Sequence, residues 1–484
     1  MTRHIDTNIK QRFRSKIQAI LEGHSSFTLS YYKDNIFDSS KATFIKQQLE
    51  SSLKNNSPGL FFYHLVNTID SVIQLLVFVY EGYKPIIIPD KWSDSQIEKL
   101  LKAYPTIPVF DGLHFKHLNK DCQPLVNDDP QFMFGLCTSG STGFPKIICA
   151  SYSGIVASLE AINEAQSLDL VKNTVVLLPL YYSYALINQL FWGIYYEKSV
   201  ILTDGLQNLN KFLALIKDTP IEMTCMVGQQ IRLLDKLQIC NDRYAIPSTK
   251  VINFAGAPFP YTYFESIKAL FPKATIMNNY GCTEALPRLT VVPVTQNQPT
   301  TCTGLAIRSI TLKINNPNAD NVGKICFKGT SASMGLLNAS GKVRPHSTSE
   351  WIESGDSGYI DDNGHLHVLG RFDDLVNIGG ERISLQTIVN HLKENISVEE
   401  ACVFMRDLSD KEPEVVAVIK VNDHEEEPNF KRFLSKNINK LFWPKQIYQI
   451  DEFPLNDNQK IDLVKVKKDI EKDTLKSVFK YVGL

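Results

Sequence analysis

Residues Thr138 to Lys146, reading TSGSTGFPK, carry a dense set of groups suited to polyphosphate. Gly140 and Gly143 let backbone N–H groups approach an anion closely. The hydroxyls of Thr138, Ser139, Ser141 and Thr142 add donors that rotate to fit, and Lys146 supplies a point charge. The stretch therefore predicts a phosphate-cradling loop. It is not a Walker A loop, because no Gly-Lys-Ser/Thr follows and Pro145 stands where that loop's helix needs a free N–H. A second stretch, Asn279-Tyr280-Gly281-Cys282-Thr283-Glu284, offers an aromatic face for a base and a glycine for close backbone approach. It adds a hydroxyl for phosphate and a carboxylate for magnesium.

Thr138 to Lys146 resembles the phosphate loop T-S-G-S/T-T-G-x-P-K of the adenylate-forming ligases, and matches it at every specified position. That superfamily comprises acyl- and aryl-CoA synthetases, peptide-synthetase adenylation domains and luciferases. The other motifs follow in order. Tyr280 to Glu284 matches Y-G-x-T-E, and Val322 to Gly329 resembles the strand G-E-L-x-x-x-G, with Lys324 in place of the usual acid. Ser354-Gly355-Asp356 resembles T-G-D. Gly370 to Ile383 resembles the junction motif G-R-x-D-D-x-I-K-x-x-G-x-R-I, with Asn377 where a lysine is usual. Pro454 to Asp462 resembles L-P-x-T-x-x-G-K-I-D-R, with Gln459 replacing the glycine and Leu463 the arginine.

The resemblance implies an enzyme that uses ATP and Mg2+ to convert a carboxylic acid into an acyl-adenylate and then passes the acyl group to a thiol. CoA comes first as acceptor, and the phosphopantetheine arm of a separate carrier protein is the alternative. It implies Lys460, Thr283 and Glu284 as catalytic residues, with Glu284 on the metal. Thr138, Ser139, Gly140, Ser141, Thr142, Gly143, Lys146, Asn279, Tyr280, Gly281, Asp356 and Arg371 would bind ATP. Asp356 would accept from the ribose hydroxyls, a task that suits an acceptor-only carboxylate. Asp373 would be a hinge, and Gly379 and Gly380 would line the thiol tunnel.

For the acid pocket the resemblance points to Tyr182, Tyr184, Gly228, Ala255, Gly256 and Ala257. Amino-acid-activating relatives carry Phe-Asp to pair a substrate ammonium, whereas this chain reads Leu180-Tyr181-Tyr182-Ser183-Tyr184. With no carboxylate there for an ammonium, an uncharged acyl or aryl acid is expected. A non-catalytic adenylate-binding relative is the remaining rival, opposed by the presence of Lys460, Glu284, Asp356 and Arg371.

The elements that position these residues follow from periodicity. The runs GLFFYHLV, SVIQLLVFVY and KPIIIPD predict strand, helix and strand, and the alternation continues beyond the phosphate loop to ATIMNNY. The expected fold class is α/β: a large domain of doubly wound sheets with a small β subdomain, plus a small mobile α+β domain. Ligands of such sheets sit beyond the carboxyl ends of strands, and the loop follows the apolar run FMFGLC accordingly. Boundaries are expected at 1–370 for the AMP-binding domain and 371–484 for the lid that carries Lys460.

Composition excludes several classes. At 484 residues, 43% hydrophobic and 21% charged with net charge -1, the chain has no electrostatic footprint for nucleic acid or an anionic membrane. The nine cysteines have no metal-ligand spacing, which predicts buried thiols in a reducing, cytoplasmic setting. Thr174 to Tyr196 carries no charge before Glu197 and is long enough to span a bilayer. Pro179, Asn188, Gln189 and its tyrosines predict instead a strand, a turn and a helix. His365 and His367 share a strand face and predict an exposed polar pair rather than a metal site.

Overall fold

The computed structural model describes residues 2–32, 35–54, 59–90, 92, 94–112, 115–116, 127, 129–138, 145–296, 298–346, 350–372, 375–378, 381–393, 397–408, 411–421, 430–437, 440–455, 461–472 and 474–480. The chain divides into two compact units. The first comprises Met1–Lys313, Cys326–Ser354 and Ile360–Leu366, and the second Ile314–Ile325, Gly355–Tyr359 and His367–Leu484. The chain passes between them within the strands Ile310–Asn315, Gly323–Gly329 and Ile352–Ile360 and just after Leu366.

The first unit is built on two sheets. In one, Thr28–Tyr31, Ser199–Leu202, Asn173–Val176, Met223–Met226, Val251–Phe254 and Thr275–Tyr280 run parallel and adjacent in that order. Thr290–Pro293 and Cys302–Ala306 extend it antiparallel. Burial on both faces explains why the central strands are short apolar runs such as VINF and MTCM. In the other sheet, Val109–Phe110, Leu60–His64, Lys84–Ile88 and Phe132–Thr138 are parallel neighbours. Its crossover helix Ile69–Glu81 is capped by Thr68, which accepts from the Ser71 N–H, and ends at Gly82 in the left-handed conformation.

Two features depart from the sequence reading. Lys146–Ser151 is a strand, paired antiparallel with Phe132–Thr138, so the phosphate loop joins two arms of a hairpin before the helix Tyr152–Ala165 begins. The expected helix after Pro179 is interrupted by a π-helical stretch, Leu186–Phe191, between Ser183–Ala185 and Trp192–Tyr196. Its buried polar residues are used: Gln189 Nε2 donates to Thr174 Oγ1 and to the Val175 carbonyl, each at 2.7 Å. The uncharged segment thus folds back on its own strand. No helix among the described residues is long and apolar enough to cross a membrane.

The second unit contains a four-stranded sheet in the order Val398–Leu408, Lys411–Val421, Gln446–Gln449, Lys476–Lys480, covered by the helix Leu385–Lys393. Ile388, Leu392, Ala417, Ile419, Leu434 and Ile447 form its core. The last two strands are absent from the sequence reading.

Candidate active site

Most of the candidate residues of the first unit lie at carboxyl ends of its parallel strands. Thr138 ends the strand Phe132–Thr138 and faces Lys146 across the hairpin, with its hydroxyl 3.4 Å from the Lys146 carbonyl. Lys146 is exposed. Ser139, Gly140, Ser141, Thr142 and Gly143 lie outside the described residues.

Tyr280 ends the strand Thr275–Tyr280, and Thr283 and Glu284 form the short 3₁₀ turn Thr283–Ala285 beyond it. Gly281 is required here by close approach. A Cβ at this position would stand 2.0 Å from the Pro287 carbonyl oxygen and 2.9 Å from the Arg288 Cα. The Tyr280 hydroxyl meets Ser354 Oγ at 3.2 Å. Asn279 is buried and fully engaged: its amide donates to Asn253 Oδ1 and the Phe254 carbonyl, and its oxygen accepts from Gln166 Nε2 at 2.8 Å. It ties the ends of two adjacent strands to each other and to the residue that ends the helix Tyr152–Ala165.

The segment after Asn173–Val176 carries the tyrosines expected to line an acid pocket and is pinned from the other sheet. Asn67 Nδ2 donates to the Leu178 carbonyl at 3.0 Å, and Asn67 Oδ1 accepts from the Leu180 N–H at 2.8 Å. Ser183 Oγ lies 3.4 Å from Thr283 Oγ1, so the tyrosine segment meets the phosphate motif. Tyr184 is buried beside Cys225 and Asn279, and burial pushes its phenol well above the ordinary range. Gly228 opens the helix Gly228–Lys236, while Gly256 is left-handed at φ 88°. A Cβ on Gly256 would be 3.7 Å from Val227, so the Ala255–Ala257 turn packs beside Gly228.

Sequence reasoning missed His346 and Arg288. Ser333 N–H donates to the Glu284 carbonyl at 2.8 Å, and Ser333 Oγ is 2.7 Å from His346 Nε2. Burial, helped by the nearby Lys146 ammonium, lowers the His346 pKa to about 4. Ser333 and His346 therefore connect the phosphate-loop lysine to the Glu284 turn. An Arg-Leu pair after a turn and a His-Ser-Thr stretch look like ordinary surface in one dimension.

In the second unit, Arg371 Nη1 lies 3.2 Å from Asp356 Oδ1. Gly355, at φ 84°, sits directly under the guanidinium, where a Cβ would come within 2.6 Å of Nη2. Asp373, Gly379, Gly380 and Lys460 lie outside the described residues. The expectation of an exposed polar pair does not hold: His367, in the second unit, is buried and stacks on Tyr359 at 4.5 Å, while His365, in the first, is half-buried beside Asp361 and precedes the strand Leu366–Arg371.

Among the described residues no group of three or more His, Cys, Asp or Glu is arranged as a metal cage. The half-buried Glu284 carboxylate instead fits a magnesium ion shared with substrate phosphates, which takes one or two protein oxygens and keeps its waters.

Comparison with known proteins matches residues 70–337 to the family described as AMP-binding enzyme. The chain belongs to the AMP-binding enzymes. This is the adenylate-forming superfamily that its loops resemble. A protein from Vanilla planifolia named 4-coumarate–CoA ligase is 26% identical over 401 residues, covering 77% of this chain and 72% of its own. Among solved structures, o-succinylbenzoate coenzyme A synthetase from Bacillus subtilis, in complex with ATP and a magnesium ion, superimposes with TM-score 0.76 at 19% identity, covering 94% of this chain and 99% of its own. An amide bond synthetase from Marinactinospora thermotolerans does so with TM-score 0.76 at 14% identity, covering 94% and 99%. At these identities the two structures establish a shared fold.

Proposed function

We propose that this AMP-binding enzyme joins a carboxylic acid to a thiol at the expense of ATP, through an acyl-adenylate, with CoA as the acceptor. The observation that carries the reading is the 3.4 Å approach of Ser183 to Thr283, which joins a tyrosine-rich pocket wall to a phosphate motif.

A carboxylate is repelled by the triphosphate and is a poor nucleophile towards phosphorus, so catalysis consists of neutralising charge and aligning the reactants. Lys146, the hydroxyls of the hairpin loop and Thr283 would neutralise and hold the phosphates, and Glu284 would hold magnesium, whose bound charge offsets that of the phosphates. Tyr280 would stack on adenine, while Asp356, oriented by Arg371, would accept from the ribose hydroxyls. A carboxylate oxygen then attacks the α-phosphorus, the bond to the bridging oxygen breaks, and pyrophosphate leaves. Lys460 would bridge the acid oxygen and the α-phosphate in that step. In the second step the thiol sulfur attacks the acyl carbon and AMP departs, with Gly379 and Gly380 lining the approach and Asp373 as the pivot between the half-reactions.

Tyr182, Tyr184, Gly228, Ala255, Gly256 and Ala257 would enclose the acid. The fold alone is silent on the acceptor, since an amide bond synthetase shares it. The name of the Vanilla relative favours CoA.

The test is to incubate the purified protein with ATP, magnesium, CoA and a panel of carboxylic acids, and to quantify AMP and thioester together. Equal amounts of AMP and acyl-CoA are expected with at least one acid. Acyl-adenylate without thioester would remove CoA and point to a carrier protein. No AMP with any acid would remove the whole reading.

A further inference from the structure

The most anomalous side chain in the first unit is Arg288. It follows the Thr283–Ala285 turn and precedes the strand Thr290–Pro293. It is 2% exposed, and neither Nη1 nor Nη2 has a hydrogen-bond partner. Its guanidinium carbon lies 5.7 Å from the centre of the Tyr184 ring. The groups close enough to act on its charge are Tyr184 and Cys225. Burial holds both neutral, with the Cys225 thiol raised to about 12.

An isolated buried cation is costly, because the low-dielectric interior returns little of the hydration that it gives up. A lysine in this position could shed its proton. A guanidinium cannot at ordinary pH, so its charge must be met. Among the described residues no carboxylate meets it. The missing partner is therefore a ligand, and the surroundings say which. Tyr184 adjoins Ser183, which approaches Thr283; Cys225 lies on the strand that leads to Gly228; and the Tyr184 hydroxyl lies against Cys225 and Asn279. All are neighbours of the acid pocket rather than of the exposed Lys146. Two parallel N–H groups on a guanidinium match the two oxygens of a carboxylate.

We infer that Arg288, with the Tyr184 hydroxyl beside it, receives an anionic group at the far end of the acid substrate, so that the enzyme activates one carboxyl of a dicarboxylic acid. The inference deepens the proposed function and rests on it for the identity of the reacting end. It also replaces the expectation of an uncharged acid: the Leu180–Tyr184 segment lacks a carboxylate for an ammonium, but that leaves open a cation for a second carboxylate.

The experiment compares matched acids that differ in the tail alone, glutarate against pentanoate and benzene-1,4-dicarboxylate against 4-methylbenzoate, in acid-dependent pyrophosphate exchange. Wild type should favour a dicarboxylate by about a hundredfold or more in kcat/KM, as expected when a buried charge is left unmatched by the wrong ligand. Arg288→Met, of similar length and without the charge, should erase or invert that ratio while leaving the KM for ATP within about twofold. Arg288→Lys, which keeps a point charge but loses the fork, should retain part of the preference. A second readout is the shift in Tm caused by each acid alone, which requires no catalysis. Dicarboxylates should stabilise wild type and not Arg288→Met. Neutral acids preferred by wild type, an unchanged ratio in Arg288→Met, or a variant whose loss lies in ATP binding would each overturn the inference while leaving the adenylation reading intact. Silence in exchange with every acid, alongside a dicarboxylate shift that depends on Arg288, would do the opposite.

Discussion

His346 is neutral at physiological pH because its half-buried ring would have to take up a proton near the Lys146 ammonium. The linkage has a definite sign. The folded pKa, about 4, lies below the ordinary histidine value of 6.5, so the unfolded chain binds the extra proton first as pH falls. The contribution to stability is complete above pH 6.5 and is lost progressively towards pH 4. After allowance for solvent screening of a half-buried ring, it amounts to at most about 2 kcal/mol. His346→Gln keeps a hydrogen-bonding side chain for Ser333 and removes the titration. Its Tm should therefore fall less between pH 7 and pH 4.5 than that of wild type, and parallel curves would show that another group governs acid lability. Neither His346 nor Arg288 is legible as a site residue in the sequence. Their importance comes from what long-range folding brings against them, Lys146 and Ser333 in one case and Tyr184 and Cys225 in the other.

The segment from Tyr280 to Arg288 works as one element, held by close backbone contact as well as by the buried Ala285 and Leu286. Leu289 N–H donates to the Tyr280 carbonyl at 2.8 Å, and the Cα of Gly281 faces Pro287 with no room for a methyl group. Gly281→Ala should force the two backbone strands of this loop apart. Overpacking of this kind costs about 1–3 kcal/mol, and Glu284 would move with the loop. Gly228→Ala is the control, since its added Cβ has 3.7 Å of clearance to Pro260. It should change stability by no more than about 0.5 kcal/mol. Thermal unfolding of both variants checks the contrast, and equal losses would contradict it. At this scale the sequence reading succeeds where the pattern is local and continuous, as in the helix Ile69–Glu81 and the strand Thr275–Tyr280. It fails where structure depends on distant partners. KIICAS becomes a strand because Phe132–Thr138 and Gly335–Leu337 flank it, and the mixed-polarity Lys476–Lys480 pairs with Gln446–Gln449. The π-helical stretch depends on the anchoring of Gln189 to Thr174 and Val175. The N-terminal helix Thr2–Leu21, whose Phe13, Ile17 and Ile20 are buried, was unread because the polar residues around them dilute its stripe.

At the scale of the whole molecule, ordered motifs spread along the chain were the most readable feature, since each is a short cluster of uncommon residue types. The candidate chemistry is divided between the units: Thr138, Lys146, Thr283 and Glu284 in the first, and Asp356 with Arg371 in the second, whose sequence also includes Lys460 and the Gly379-Gly380 pair. The proposal gives the last two different steps. Loss of an oriented electrostatic donor costs about 3–4 kcal/mol, or two to three decades in rate. Lys460→Ala should therefore slow adenylation by about that factor and leave thioester formation from preformed acyl-adenylate nearly intact. Gly380→Leu should do the reverse by obstructing the thiol. The central claim, that the chain adenylates a carboxylic acid, is tested most directly by exchange of labelled pyrophosphate into ATP, measured on the full chain with magnesium and a panel of acids of neutral and anionic tail. Exchange that requires the acid and falls by about two to three decades in Lys460→Ala is the predicted result; no acid-dependent exchange with any member of the panel, or exchange indifferent to Lys460, would contradict it.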